Sequence, residues 1–348
     1  MRLLIATDAW RPQVNGVVRT LERVGEELTA VGVEVSMLTP GGFRTMAMPT
    51  YPEIRLALAL PGKIAARAAA MRPDAVHIAT EGPIGYAIRR WCLATGRPFT
   101  TSFHTRFPEY LAARMPIPPR VSYAVLRRFH NAGRGCMVAT RTLETELSER
   151  GFEHLMRWSR GVDAELFRPR PGLRSADDLR PVFLFVGRVA VEKNIRAFLD
   201  LDLPGIKRVV GDGPALAEMR KAYPDVDFAG TLTGEPLAEA YARADVFVFP
   251  SRTDTYGIVL LEALASGLPV AAFPVPGPAD VIGDSGVGVL DEDLGRAARE
   301  ALSISRDGCR QFALGHGWRA CALQFLGNVV SAQGLDCQVP ALAAAAAP

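Results

Sequence analysis

A chain of 348 residues with 49% apolar composition is too long for one ordinary α/β domain and suits two, each able to bury a full core. The net charge of +3 conceals an asymmetry: residues 1–165 carry 22 Lys and Arg against 15 acids and the remainder 18 against 22, so the first half is the one to suspect of touching an acidic surface. Five scattered cysteines without C-x-x-C spacing argue against a disulfide framework or a zinc site, and neither a spanning apolar run nor a signal-peptide core occurs, which predicts a cytoplasmic protein.

In chain order, residues 2–6 predict a short buried strand. A polar loop from Thr7 through Asp8 to Gly16 leads into a helix with apolar residues at Val17, Val18, Leu21, Val24 and Leu28, which Gly32 ends. Extended and helical segments then alternate: 33–38 extended, 54–58 extended, 63–71 helical, 75–79 extended, 84–93 helical and 99–103 extended. A long, largely helical segment reaches His130, then 135–139 is extended and 142–150 helical. This rhythm predicts a doubly wound parallel sheet.

The stretch 106–134 carries Arg106, Arg114, Arg120, Arg127, Arg128 and Arg134 against the single acid Glu109, with Val121, Val125, Leu126 and Phe129 at helical spacing. Either it is an ordinary solvated helix packed on its domain, or an amphipathic basic surface that rests on anionic lipid. Pro116, Pro118 and Pro119 predict a mobile loop at its front.

Around residues 158–169 the pattern breaks, and Pro169, Pro171 and Gly172 make the following stretch a linker. A second α/β unit follows, with strands at 182–186, 207–210, 226–229, 245–249 and 270–273, a last helix near 318–330 and an alanine-rich tail at 341–347 predicted to be disordered.

Each strand of the second unit ends in a small, polar or charged turn. After the first come Gly187-Arg188 and then Lys193-Asn194; a forked guanidinium and a point charge can meet one diphosphate, or both residues make ordinary surface ion pairs. Gly211-Asp212-Gly213-Pro214 either lets backbone approach a ligand or is a tight turn. At Gly230-Thr231-Leu232 backbone groups can read a nucleobase. The stretch 245–273 reads strand, loop, helix, strand, so its loop lies where open α/β sheets bind ligands and the helix start suits a phosphate. Asp254 precedes that helix and Glu262 lies inside its apolar run. Sugar or ribose hydroxyls would satisfy both; alternatively Asp254 caps the helix and Glu262 pairs with an arginine.

Together, Gly187-Arg188…Lys193-Asn194, Gly211-Asp212-Gly213-Pro214, Ser251 through Gly257 to Glu262 and on to Val270, and Gly161-Val162-Asp163…Phe167-Arg168-Pro169 resemble the family 4 retaining glycosyltransferases of the GT-B fold. Asn15-Gly16-Val17 and Ser102-Phe103-His104-Thr105 fall where that family has its glycine-rich loop and active-site histidine. The resemblance implies two doubly wound Rossmann-like domains facing across a cleft. They are an acceptor domain over 1–165 and a nucleotide-sugar domain over 166–316, with a helix at 317–335 crossing back to the first and a tail at 336–348.

It further implies that Arg188 and Lys193 hold the donor diphosphate, assisted by Gly16 and the amides of Gly257 and Ile258. Gly211, Leu232 and Tyr256 join the donor site, Glu262 bonds the ribose, Asp254 bonds sugar hydroxyls, and His104 orients acceptor or sugar. Asp8, Arg106, Arg120, Arg127 and Arg128 fall to the acceptor and membrane surface. The family pattern has glutamate at Asp254 and phenylalanine at Tyr256; the Thr-Asp-Thr-aromatic-Gly form resembles the subgroup of glycosyl-diacylglycerol synthases and related mannosyltransferases.

The implied enzyme is a metal-independent retaining hexosyltransferase that needs no cofactor. It takes a UDP-sugar or GDP-sugar as substrate, acts on a lipid at an anionic membrane surface from the cytoplasmic side, and binds no nucleic acid. The alternatives are a GDP-mannose-dependent mannosyltransferase on a polysaccharide-type acceptor and a non-catalytic sugar-nucleotide-binding module. A nicotinamide dehydrogenase is disfavoured, because the first strand opens onto Thr7-Asp8-Ala9-Trp10 rather than G-x-G-x-x-G.

Overall fold

The computed structural model describes residues 1–13, 15–48, 51–112, 118–173 and 180–335. The chain divides into two units, Met1–Arg160 with the segment from Trp318 onward, and Gly161–Gly317.

The first unit runs β1 (Arg2–Ala6), α1 (Gly16–Ala30), β2 (Glu34–Leu38), β3 (Thr45–Met48), β4 (Tyr51–Ala57), α2 (Pro61–Ala70), β5 (Ala75–Ile78) and α3 (Pro83–Ala94). It continues with β6 (Thr100–Phe103), α4 (Phe107–Ala112), α5 (Pro119–His130), β7 (Gly135–Val138), α6 (Arg141–Glu149) and β8 (Leu155–Arg157). Its parallel sheet has the order β2-β1-β5-β6-β7-β8. The central strands are buried along their whole length, including the polar side chains His77, Thr100, Thr101 and Ser102.

Three details differ from the sequence expectation. The extended segment at 54–58 belongs to no parallel sheet: β3 and β4 form a separate antiparallel ribbon. The long helical segment divides into α4 and α5, with extended Pro118 at the start of α5; Arg114 and Pro116 lie outside the described residues. β8 is an additional edge strand of three residues, too short to carry a pattern.

The second unit runs β9 (Val182–Val186), α7 (Arg196–Leu199), β10 (Ile206–Val210), α8 (Leu216–Ala222), β11 (Asp227–Gly230), α9 (Gly234–Ala242) and β12 (Val246–Phe249). It ends with α10 (Ile258–Ala265), β13 (Val270–Ala272), α11 (Pro278–Ile282), β14 (Gly288–Leu290), α12 (Leu294–Ala301) and α13 (Arg306–Leu314). The sheet is parallel in the order β11-β10-β9-β12-β13-β14. The chain leaves β9 towards β10 on one side and returns to β12 on the other, so the strand order reverses between β9 and β12. Ligands bind at such a reversal in open α/β sheets.

The last helix, α14 (Trp318–Gln333), packs in the first unit against α1 and strands β5, β6 and β7. It buries Trp318, Phe325, Leu326 and Val329, and its Cys321 carbonyl accepts the indole N–H of Trp158 at 3.2 Å. At its end the side-chain amide of Gln333 plays the part of a neighbouring strand. Oε1 accepts from the Val76 amide at 3.1 Å and Nε2 donates to the Val76 carbonyl at 3.0 Å. Gln333→Ala leaves two buried backbone groups unmatched and is expected to lower stability by about 2–4 kcal/mol, read as a lower urea midpoint with unchanged far-ultraviolet circular dichroism.

Candidate active site

In the second unit the apolar strand Val182–Val186 is buried throughout and delivers Gly187 and Arg188 to the carboxyl end of the sheet. Backbone bonds join this turn to the one after β10: Gly187 N–H to the Val210 carbonyl at 3.0 Å, Val189 N–H to Asp212 at 2.9 Å, and Ala215 N–H to Val189 at 3.0 Å. Gly211, at φ 140°, lies so close to the Gly187 carbonyl that a Cβ there would collide with it. Its missing side chain therefore serves contact between two turns.

The chain then makes a 3₁₀ turn over Val191–Lys193 and passes through Asn194 in the left-handed region at φ 51°. Asparagine tolerates that conformation, and here its side chain donates to the Pro250 carbonyl at 3.1 Å. Thr253 Oγ1 donates to the Glu192 carbonyl at 3.2 Å, and Lys193 Nζ donates to Asp254 Oδ1. The loops after β9 and β12 are thus laced together across adjacent strands. Arg188 Nε faces Glu192 Oε1 at 4.0 Å. Asp254 Oδ2 is buried and finds no hydrogen-bond partner among the described residues.

Helix α10 begins behind this pair. Its N-cap is Gly257 at φ 83°, a conformation that L side chains avoid, and a Cβ there would press on the Phe249 ring at 3.1 Å. No side chain caps the helix, so its first amides face the loop without a built-in acceptor. Glu262, 2% exposed, lies in the second turn and accepts from the Tyr241 hydroxyl at 2.9 Å. Among the described residues no three His, Cys, Asp or Glu side chains gather into a metal-ligating group.

In the first unit, His104 follows β6. Its Nδ1 lies 3.2 Å from Arg160 Nη2, and its ring meets Trp158 edge-on at 5.6 Å. Burial, followed by the positive charge of Arg160, holds its pKa well below the usual histidine range. Asp8, 5% exposed, accepts from the amides of Ile84 and Gly85 at 2.9 and 3.2 Å and from Thr80 Oγ1 at 3.2 Å. It therefore holds the first turn of α3.

Residues 14–166 match the family model described as Glycosyltransferase Family 4, and residues 180–307 the model described as Glycosyl transferases group 1. The chain belongs to glycosyltransferase family 4. It is 31% identical to a GDP-mannose-dependent alpha-mannosyltransferase of Mycobacterium tuberculosis over 96% of this chain and 97% of that one. It is 26% identical to an alpha-monoglucosyldiacylglycerol synthase of Streptococcus pneumoniae over 88% and 79%. The fold matches a sucrose-phosphate synthase from Thermosynechococcus elongatus with a TM-score of 0.78 at 20% identity, over 94% of this chain and 97% of that one.

In this family 4 glycosyltransferase, the residues expected at the donor lie at the carboxyl ends of four successive strands in the sheet. Leu232 follows β11, Gly211 follows β10, Arg188 and Lys193 follow β9, and Asp254, Tyr256, Gly257, Ile258 and Glu262 follow β12. Asp254 is not the cap of α10, since the cap is Gly257; it is the partner of Lys193. Gly16 opens α1, where Asn15 already accepts the amides of Val17 and Val18.

Two residues expected at the acceptor surface are engaged within their own unit. Asp8 is consumed by the start of α3. Arg106 leaves only 11% of its side chain exposed and pairs with Glu146 at 2.8 Å and Glu109 at 3.8 Å, so it does not stand on an outer basic face. Arg120, Arg127 and Arg128 are exposed on α5. That helix buries Tyr123, Leu126, Phe129 and His130, while Val121 and Val125 remain 50% and 52% exposed beside the arginines. Sequence reasoning missed Arg160, whose partner His104 lies 56 positions earlier; its only local signal is a cation set in Trp-Ser-Arg-Gly.

Burial pushes the Asp8 carboxyl up to about 6, against the opposing pull of the Ile84 and Gly85 amides. A raised acid favours the folded state most below its unfolded pKa, and that contribution is lost as pH rises through the folded value. Wild type is therefore expected to lose about 2 kcal/mol relative to Asp8→Asn between pH 4 and pH 7, measured by urea unfolding of both proteins across that range.

Proposed function

We propose that the chain transfers a hexose or hexuronic acid, with retention of anomeric configuration and without a metal, from a nucleotide diphosphate sugar to a membrane lipid of the diacylglycerol class. The observation that carries this reading is Asp254. One carboxylate oxygen holds Lys193, and the other is a buried acceptor without a hydrogen-bond partner among the described residues, beside the uncapped start of α10. A sugar hydroxyl supplies the donor such an oxygen lacks, and a phosphate suits the helix start.

Arg188 and Lys193 offset the negative charge that grows on the departing diphosphate, where an arginine offers two parallel bonds and a lysine a point charge. Both face carboxylates, so a diphosphate competes with Glu192 and Asp254 for them. Glu262, held by Tyr241, bonds the ribose, and His104 orients sugar or acceptor. Attack by the acceptor hydroxyl comes from the face the diphosphate leaves, and a phosphate oxygen takes the hydroxyl proton.

Likeness to a monoglucosyldiacylglycerol synthase supports a lipid acceptor. A second reading, GDP-mannose as donor with a polysaccharide-type acceptor, is supported by the 31% identity to a GDP-mannose-dependent mannosyltransferase. A screen of UDP-glucose, UDP-galactose, UDP-glucuronate and GDP-mannose against diacylglycerol vesicles separates the two readings.

With the productive donor, Arg188→Ala and Lys193→Ala are each expected to lower kcat by about 10²–10³-fold at an unchanged unfolding midpoint. Near-wild-type turnover in either counts against the diphosphate assignment. The exposed face of α5 predicts flotation with vesicles rich in phosphatidylglycerol and not with phosphatidylcholine vesicles. The double change Arg120→Glu with Arg128→Glu abolishes that difference if α5 is the contact.

A further inference from the structure

We infer that Arg160 locks His104 into the tautomer protonated at Nε2, so that the histidine serves its substrate as a neutral hydrogen-bond donor and never as a base. The inference rests on the reading of His104 as a site residue and deepens it.

Arg160 is a buried cation, 5% exposed, with little freedom to choose partners. Nη1 donates to the carbonyls of Trp158 at 2.8 Å and Ser159 at 2.9 Å, and the guanidinium lies over the Trp158 ring at 4.4 Å. Trp158 is itself fixed: it is fully buried, its indole N–H binds Cys321 of α14, and its ring packs against Phe325 at 4.8 Å. The guanidinium is thus presented to His104 on a rigid platform, with Nη2 at 3.2 Å from Nδ1.

A guanidinium has five donors and no acceptor. The Nδ1 atom facing it must therefore carry a lone pair, which in a neutral imidazole places the proton on Nε2. A second proton would have to sit on Nδ1, where it would break this bond and stand beside a cation. Among the described residues, His77 and His130 also act on His104, and neither favours a positive charge there. His77 is buried between Thr100 and Ser102 and held at about 3 by burial and by His130. His130 bonds Thr101 and Glu81.

The chemical consequence is a division of labour. General-base catalysis at Nε2 needs a lone pair there, and this arrangement supplies an N–H instead. His104 can hold a hydroxyl or phosphate oxygen in place by donation, while the proton of the attacking hydroxyl must go elsewhere. Arg160 is accordingly a positioning residue: it acts on substrate only through His104.

Nitrogen-15 histidine labelling tests the lock directly, since two-bond proton–nitrogen spectra distinguish the tautomers and His104→Gln identifies the signal among five histidines. The wild type is expected to show protonated Nε2 and bare Nδ1 for His104, unchanged from about pH 5 to 8. In Arg160→Met the signal should titrate within that window, and kcat should fall by about 10²-fold with a new acidic limb in its pH profile. Arg160→Gln, whose side-chain amide can still donate to Nδ1, should keep the tautomer and recover most of kcat.

A wild-type His104 protonated at Nδ1, or titrating between about pH 5 and 8, overturns the inference. So does an Arg160→Met protein whose spectrum and pH profile match wild type. If Arg160→Met does not fold, the wild-type spectrum and Arg160→Gln decide. The tautomer is read without substrate, so absence of transfer with every donor would overturn the glycosyltransferase reading and leave the lock standing.

Discussion

Two turns that touch backbone to backbone set the geometry on which the second unit's chemistry depends. The Gly187 turn after β9 and the Gly211 turn after β10 share amide bonds through Val210, Asp212 and Val189, at a separation that admits no Cβ on Gly211. From that anchored turn the chain has only a short 3₁₀ segment in which to reach Lys193, and Asn194 then ties it to the end of β12. The places from which Lys193 and Asp254 project are therefore held by main-chain bonds and by Asn194. Side chains that would otherwise sample many rotamers are delivered close to one arrangement before any substrate arrives, which removes much of the ordering cost of binding.

Many buried polar groups of both units are matched by a partner fixed elsewhere in their own unit. Glu262 has Tyr241, Asp8 has the start of α3, Arg160 has two carbonyls and a histidine, and Gln333 has the main chain of Val76. An unmatched buried group costs about 1–3 kcal/mol. Asp254 Oδ2 is one of several buried atoms without a hydrogen-bond partner among the described residues, and it lies beside a helix start and Lys193. An unmatched buried acceptor beside a cation and a helix start is where a folded chain can trade stability for recognition.

The strand rhythm was legible because most strands buried on both faces are apolar runs, with the polar β6 as an exception, and the turns between them are often small or charged. Family membership was legible because several motifs recur in one order. The β3–β4 ribbon was misread for lack of a signal that separates a two-stranded ribbon from a sheet strand, and β8 and β14 are three residues each. Pairings were the least legible. Asp8 meets residues 76 and 77 positions away, Arg160 meets His104 across 56, and Gln333 meets Val76 across 257. No local pattern encodes such distances; they emerge only when the sheet brings strand ends together. The same limit led sequence reasoning to weigh Asp254 as a cap, although the left-handed conformation belongs to Gly257 and the aspartate reaches Lys193.

The place of α14 has a consequence for how the protein is made. The helix belongs to the first unit but is encoded after the whole of the second, so a ribosome releases Trp158, His77 and Val76 long before Phe325, Cys321 and Gln333 exist to cover them. At ordinary elongation speeds the interval is on the order of ten seconds or more. During that time the amino-terminal half presents an uncovered indole and an incompletely bonded strand, while the second unit emerges and completes its own sheet. The first half to be synthesised is thus the last to finish folding, and the nascent chain needs shelter for its apolar seam until the final helix emerges.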